Sequence, residues 1–376
     1  MAAIPDLNIE NCVLNIEHFL SHRPVYLHGS MLPPVRLRKL TPFALLFLIA
    51  SPRLSAQTVG GSTVYNFLNL PATPALSAAG GVNVSYNGGD VGLALNNPAL
   101  LDPSLHSQVS ANFNAFFAAT KAYQLGGVYY AKKWNTTFGG GLFFVDYGSL
   151  PQGDIYGNEL GNFHPTDFSF QVSAARSYGE RWRYGLTAKV IRSSFGSYRS
   201  TGLAFDLGLH YADTARRFSA GLTARNMGGQ LSGYGGSRED LPFDLQAGVT
   251  KRLARAPFGF SLTAQHINGF NTTYNDGNFN AENGFTGKDG FAAKLFNHFV
   301  LASHLYLGRN FEVTFGYNFL RRYELNVGSS GNGLNGFSTG FRARFNRLQV
   351  QYARAYFQRG NAYNQLGLQL PLQRRV

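Results

Sequence analysis

Cysteine is almost missing from this 376-residue chain: the single one is Cys12. It lies upstream of the expected cleavage site described below, so a mature chain would carry none. That excludes a disulfide framework and any zinc site built on cysteine. Stability must then come from strand pairing and packing. Long apolar runs are also lacking, and past residue 56 no segment approaches the 18 or so uninterrupted apolar residues of a spanning helix. Charged residues make up only 14% of the chain, yet its formal net charge is +13. The basic residues are dispersed, without a dense Lys/Arg run, so the clustered footprint of a nucleic-acid binder is absent. A positive surface facing anionic lipid headgroups or lipopolysaccharide fits the composition better. What the chain does have is glycine (44), phenylalanine (32) and tyrosine (20), which is too aromatic for a disordered polymer.

Residues 1–30 read as neither a domain nor a targeting signal. From Met31 the pattern sharpens. Arg36, Arg38 and Lys39 form a basic n-region, Leu40 to Ala50 an apolar h-region, and Leu54-Ser55-Ala56 a small-residue cleavage site. The expectation is a start at Met31, with residues 1–30 a mis-called extension, a signal peptide over 31–56, and a mature chain from about Gln57.

The pattern that recurs through the rest of the chain is plainest in Thr201–Ala212. Leu203, Phe205, Leu207, Leu209 and Tyr211 fall on one face, while Ala204, Asp206, Gly208 and His210 fall on the other. A period of two is an extended strand with an apolar and a polar side. Fourteen segments carry it: 107–118, 123–133, 135–147, 165–177, 180–193, 199–211, 215–226, 241–252, 257–267, 297–307, 310–319, 336–345, 347–357 and 362–372. Most are about as long as the 9–11 residues that cross a bilayer at a tilt and longer than the usual soluble strand of roughly 5–6.

Tight connections (Lys133–Asn135, Ser177–Glu180, Leu307–Asn310, Phe345–Arg347) alternate with long ones rich in Gly, Asn and Ser (Gly148–His164, Gly228–Asp240, Asn268–Phe296, Leu320–Asn335). Short turns at one rim, long loops at the other and aromatics at strand ends are the layout of an outer-membrane barrel. The predicted fold is all-β: a transmembrane antiparallel β-barrel of about fourteen strands over 107–376, located in the outer membrane. A soluble β-sandwich is the alternative, with shorter strands and no asymmetry between rims.

Residues 57–106 are different. Tyr65–Gly81 lacks strand alternation, and Pro71 and Pro74 interrupt any long helix. The segment is predicted to be a plug or hatch for the lumen. Val82–Tyr86 reads as a short strand. Asn96-Asn97-Pro98 is a turn signal between apolar residues.

Catalytic spacings are scarce. There is no Ser-x-x-Lys, no His-Glu-x-x-His and no phosphate-binding Gly-x-x-x-x-Gly-Lys-Ser/Thr. The histidines are scattered, and no metal or cofactor is expected. Asn275–Asn283 resembles a calcium loop in composition but lacks the EF-hand order. Asp206 is predicted to form a lumen charge pair with a cation of a neighbouring strand, Lys189 or Arg225.

Taken together, Gly61–Leu70, Gly80–Val84, Gly88-Gly89-Asp90 followed by Asn96–Leu101, Tyr156–Phe163, Leu241–Leu245 and Ala256–Phe258 carry a resemblance. In order and spacing they are similar to the PorV/PorQ branch of FadL-type outer-membrane barrels. The resemblance spans about 60–267 well and the last third more loosely; the terminal Arg374-Arg375-Val376 departs from the aromatic ending of many such barrels. It implies a non-enzymatic part of the type IX secretion attachment complex. Such a part would hold a PorZ-like surface protein beside PorV and the sortase-like PorU, the member that joins cargo to lipopolysaccharide. The partner-facing aromatics would then be Tyr156, Phe163, Tyr234, Phe270, Tyr274 and Phe279 in the long loops. The other reading of the same resemblance is a FadL-like channel for small hydrophobic compounds, with the N-terminal segment as hatch.

Overall fold

The computed structural model describes residues 63–372 apart from 117–118, 155, 157, 237, 271, 273–289, 326–332 and 359–360. The expected extension, the signal peptide, Tyr274, Phe279 and the calcium-like loop lie outside the described residues.

Fourteen antiparallel strands close into a barrel. They are β1 (Gln108–Ala115), β2 (Lys121–Ala131), β3 (Thr136–Asp146), β6 (Thr166–Tyr178), β7 (Trp182–Phe195), β8 (Tyr198–Asp213), β9 (Phe218–Ser232), β10 (Asp244–Arg252), β11 (Phe258–Ala264), β12 (Phe299–Leu307), β13 (Phe311–Asn318), β14 (Phe337–Phe345), β15 (Leu348–Gln358) and β16 (Asn361–Pro371). Each pairs with its neighbour in the sequence of the barrel, and β1 closes on β16 in the register Gln108 to Pro371 through Ala115 to Asn364. A separate hairpin, β4 (Leu150–Gly153) and β5 (Glu159–Phe163), stands between β3 and β6. Each of the fourteen segments expected to build the barrel overlaps one barrel strand, because period-two alternation survives wherever one face meets lipid and the other does not.

The outside is apolar on successive strands: Leu125, Leu142, Phe170, Leu186, Leu207, Leu222, Phe260, Leu301, Phe315, Phe341 and Leu366 are all exposed. In water such a continuous belt would far exceed the few hundred Å² that soluble proteins leave uncovered; in a bilayer it is the lipid-facing band. The inside is polar and buried, with Asp206, His210, Gln246, His304, Gln351 and Gln365 among its side chains. No helix among the described residues is long and apolar enough to cross a membrane. Closure is what lets the strands cross instead, since it leaves no unpaired edge in hydrocarbon.

Both ends of the barrel sheet, Gln108 and Pro371, lie at the rim that carries the tight turns. The other rim carries the long connections, interspersed with short ones: two residues, 196–197, join β7 to β8, two, 359–360, join β15 to β16, and five, 116–120, join β1 to β2. Three details differ from expectation. The loop taken to begin at Gly228 begins after Ser232, because β9 runs on against β8. The long loops contain structure of their own: the β4–β5 hairpin and two short helices, α3 (Phe291–Asn297) and α4 (Phe319–Glu324). Val82–Tyr86 forms no strand, because its backbone is served by side chains rather than by a neighbouring ladder: Asn97 donates to the Val84 carbonyl and Ser219 to that of Ser85.

Candidate functional site

Residues 63–106 fill the lumen. They form a series of short helical turns: a 3-10 turn at Asn66–Asn69, α1 (Pro74–Ala78), α2 (Val91–Asn96), and 3-10 turns at Pro98–Leu100 and Pro103–Leu105. The local chemistry explains the starts. Thr73, Asp90, Asn97 and Asp102 each cap the turn that follows, accepting from the N–H of Leu76, Leu93, Ala99 and Ser104. Three of these four caps are followed by proline, whose fixed φ and missing N–H suit the first helical position. Pro74 and Pro98 therefore open helical turns as well as interrupting longer ones. Asn96 ends α2 and Asn97 caps the next turn, so the Asn-Asn-Pro element joins two pieces of the plug.

Two apolar clusters anchor the segment. Val64, Tyr65, Phe67 and Leu68 pack with Ala122, Val145, Ile191, Ala204 and Leu241 toward the long-loop rim. Leu76, Val91, Leu93, Leu95, Leu100, Leu101 and Leu105 form the other cluster with Val128 and Ala175. The wall makes room with glycine. A Cβ at Gly221 would sit 2.1 Å from the Val84 carbonyl oxygen, and one at Gly208 would sit 2.2 Å from Asn97 Oδ1.

A chain without regular pairing inside a barrel leaves backbone groups in need of partners, and the polar lumen supplies them. Gln171 donates to the Leu95 carbonyl (3.0 Å), Gln365 to that of Pro71 (2.7 Å), and Asn318 and Arg321 to that of Gly80 (3.0 and 2.9 Å). Gln369 accepts from the Val91 N–H (2.9 Å) and donates to the Gly89 carbonyl (3.0 Å). Two charge-assisted contacts add to this: Arg183 pairs with Asp102, and Gln351 donates to Asp90. Burial alone would raise the Asp102 carboxyl, but the Arg183 guanidinium and the Ser104 N–H outweigh it and hold the group below the usual carboxylate range.

Lys189 Nζ lies 2.6 Å from Asp206 Oδ2, and both side chains are buried. Arg225 is not part of that contact; its guanidinium donates to the Leu68 carbonyl of the plug at 3.2 Å. The aromatics of the long loops are divided. Tyr156 is fully presented on the β4–β5 hairpin, 83% exposed. Phe163 is half-buried. Phe270 lies against Phe291 and His298 with ring centroids 5.4 and 5.9 Å away. Tyr234 turns into the rim, its hydroxyl donating to Ser193 and its ring edge-on to Phe195. Burial pushes the Tyr234 hydroxyl up to about 12, with the Asp167 charge acting in the same direction and the Ser193 contact opposing it.

The spacing Gly336-Phe-Ser-Thr-Gly340 is that of a nucleophile elbow, but Ser338 lies in β14 and its hydroxyl donates to the Ala78 carbonyl. Its setting is a barrel strand, without the strand-to-helix turn such a nucleophile needs. No cluster of metal-ligating side chains occurs among the described residues.

Interior space remains in several places. A gap of about 40 Å³ lies between the plug and β3, lined by Leu68, Leu70, Leu76, Leu95, Phe143, Lys189 and Arg225 among others. A larger cavity, about 810 Å³, opens at the short-turn rim.

A closed, antiparallel, lipid-banded barrel packed with its own N-terminal segment defines the class: a transmembrane β-barrel of the outer membrane. No family model matches the chain, and no curated protein does. Among solved structures, it is similar to the CymD monoaromatic hydrocarbon channel, at 14% identity over 82% of this chain and 97% of that one, with a TM-score of 0.48. It is similar to the Pseudomonas putida toluene transporter TodX, at 11% identity over 80% and 97%, with a TM-score of 0.48. It is similar to the KdgM porin, at 4% identity over 71% and 99%, with a TM-score of 0.32. Likenesses this distant carry nothing about what the chain binds.

Proposed function

We propose that this barrel is a non-enzymatic, membrane-embedded anchor of the type IX secretion attachment complex, similar in role to PorQ. It would hold a PorZ-like surface protein near the PorU and PorV machinery. The observation that supports it is the plug: wall side chains bond the segment along its length, and apolar clusters pack it. A barrel so filled suits a scaffold that presents loops, and the β4–β5 hairpin with Tyr156 is the most accessible of these. Gentle-detergent recovery of the tagged chain from outer membranes tests the reading. A large surface protein in near-stoichiometric amount is expected; recovery of the chain alone, carrying lipid or fatty acid, counts against it.

A second reading, a FadL-like channel for small hydrophobic compounds, has an observation of its own. The small space beside the plug is amphipathic, with leucines and Phe143 on one side and Lys189 and Arg225 on the other. At about 40 Å³ it holds a few waters at most, so transport would require the plug to move. This is also the activity for which TodX and CymD are named. Single-channel recording separates the two: a closed barrel with wild-type sequence fits the anchor, and uptake of a labelled aromatic hydrocarbon into vesicles fits the channel.

A further inference from the structure

The cavity at the short-turn rim plays no part in the anchor reading, and its chemistry is specific. Six arginines and four carboxylates line it, an excess of two positive charges. The excess is not evenly compensated. Glu312 is taken up by Arg342, Tyr86 and His304, and Asp102 by Arg183. Arg252 and Arg309 have no ion-pair partner among the described residues. The Arg252 guanidinium lies 4.1 Å from the centre of the Tyr306 ring, which fixes a cation at the wall of the cavity without neutralising it. Deeper in, Arg183 gives one amino group to Asp102, while its Nε and Nη1 are buried with no hydrogen-bond partner.

The opening faces the rim with the short turns and both ends of the barrel sheet, which in outer-membrane barrels is the periplasmic side. Its volume of about 810 Å³ is within the range of small-molecule pockets. Guanidinium groups in fork geometry match oxyanions in two-point contact. We propose that this vestibule binds a small soluble oxyanion, phosphate- or carboxylate-based, from the periplasm, with Arg252 and Arg309 at the mouth and Arg183 toward the floor. The site lies on the opposite rim from the loops of the anchor reading and does not depend on it.

The test is isothermal titration of the full chain in neutral detergent at low salt, with inorganic phosphate and citrate as separate probes. Saturable binding of at least one is expected, weakened at least tenfold in the R252Q/R309Q double variant. Arg347→Gln, in a turn of the same rim but outside the cavity, should leave it unchanged. Both altered arginines are exposed, and heat-modifiable gel migration verifies that the variant barrels are folded. The proposal is overturned if neither probe saturates, if the double variant binds as wild type does, or if Arg347→Gln weakens binding equally, which would mean unspecific counterion exchange. It is also overturned if a glutamate-rich decapeptide binds more than a hundredfold tighter than both anions, since the occupant would then be a protein segment.

Discussion

Lys189 and Asp206 face each other diagonally across β7 and β8 inside the barrel, 2.6 Å apart, with side chains 4% and 0% exposed. The direct cross-strand partner of Asp206 is Thr187; Lys189 sits two residues on, opposite Ala204. The pair is completed by a bulge in the next strand. Register shifts at Phe205–Leu207, and Asn226 adopts a left-handed conformation (φ 57°). There Asn226 gives its N–H to Asp206 Oδ1 (2.8 Å), accepts from Lys189 Nζ (3.0 Å) and donates to the Pro242 carbonyl (3.0 Å). Breaking a buried pair leaves one uncompensated charge, at a cost of roughly 3–5 kcal/mol. Asp206→Leu or Lys189→Met should each destabilise the barrel by about that much, and the double variant by clearly less. Urea unfolding in lipid vesicles, followed by tryptophan fluorescence, measures this. A loss in the double equal to the sum of the two single losses would show that the contact adds nothing.

The glycine footprint of the plug gives a second expectation. Gly221→Ala and Gly208→Ala force a methyl group into the Val84 carbonyl and Asn97 side chain respectively, an overpacking of about 1–3 kcal/mol. The barrel should persist while residues 63–106 become cleavable by added protease. Gly140→Ala, where a Cβ would meet nothing within 4 Å, is the control and should stay resistant. Protection in all three would mean that the plug tolerates displacement without loosening.

Acid should release one end of the plug. The Asp102 carboxyl is held low by Arg183 and the Ser104 N–H against the opposing effect of burial. A carboxyl depressed in the fold stabilises it above the ordinary aspartate value near 3.9, and this contribution is lost only as pH falls below that value through the lower one. The difference in melting temperature between wild type and Asp102→Asn should therefore be constant from pH 8 to 5 and shrink below about pH 4. A difference that fades between pH 7 and 5 would mean that another group is responsible.

At the long-loop rim, Tyr234 holds its proton until about pH 12. A raised tyrosine favours the fold fully below its ordinary value near 10, and that contribution disappears as pH climbs through the folded one. Tyrosinate absorbance should show one late-titrating group fewer in Tyr234→Phe than in wild type. The same variant loses the hydrogen bond to Ser193 and should be less stable by about 0.5–1.5 kcal/mol. Tyr156→Ala, on the exposed hairpin, should change stability by no more than about 0.5 kcal/mol while weakening recovery of a surface partner.

The barrel was legible from sequence in detail because its cause is local. A residue in a spanning strand meets lipid or lumen by its parity alone, so Phe205, Leu207 and Leu209 could be assigned outward and Asp206 and His210 inward from one short run. The helical starts of the plug at Thr73-Pro74, Asn97-Pro98 and Asp102-Pro103 were missed, because Pro74 reads as an interruption and Pro98 as part of a turn, although a capping side chain before proline is their signal. The same local rule misread Val82–Tyr86 as a strand, since short apolar backbone inside a barrel can be satisfied by side chains alone. Within the long loops, Gly- and Asn-rich composition hid α3, α4 and the β4–β5 hairpin, which form only where the rim supports them.

What the sequence determined by itself, then, is a period-two chain with short and long connections in alternation, and hence a membrane barrel with two unlike rims. Only the tertiary structure decided that Lys189, not Arg225, meets Asp206, that Arg321 reaches Gly80 across 241 residues, and that arginines from five strands and turns gather around one cavity. The physical reason is that lumen side chains are chemically interchangeable donors and cations. Their partners are selected by barrel register and by the path of the enclosed segment, which no local pattern of residues encodes.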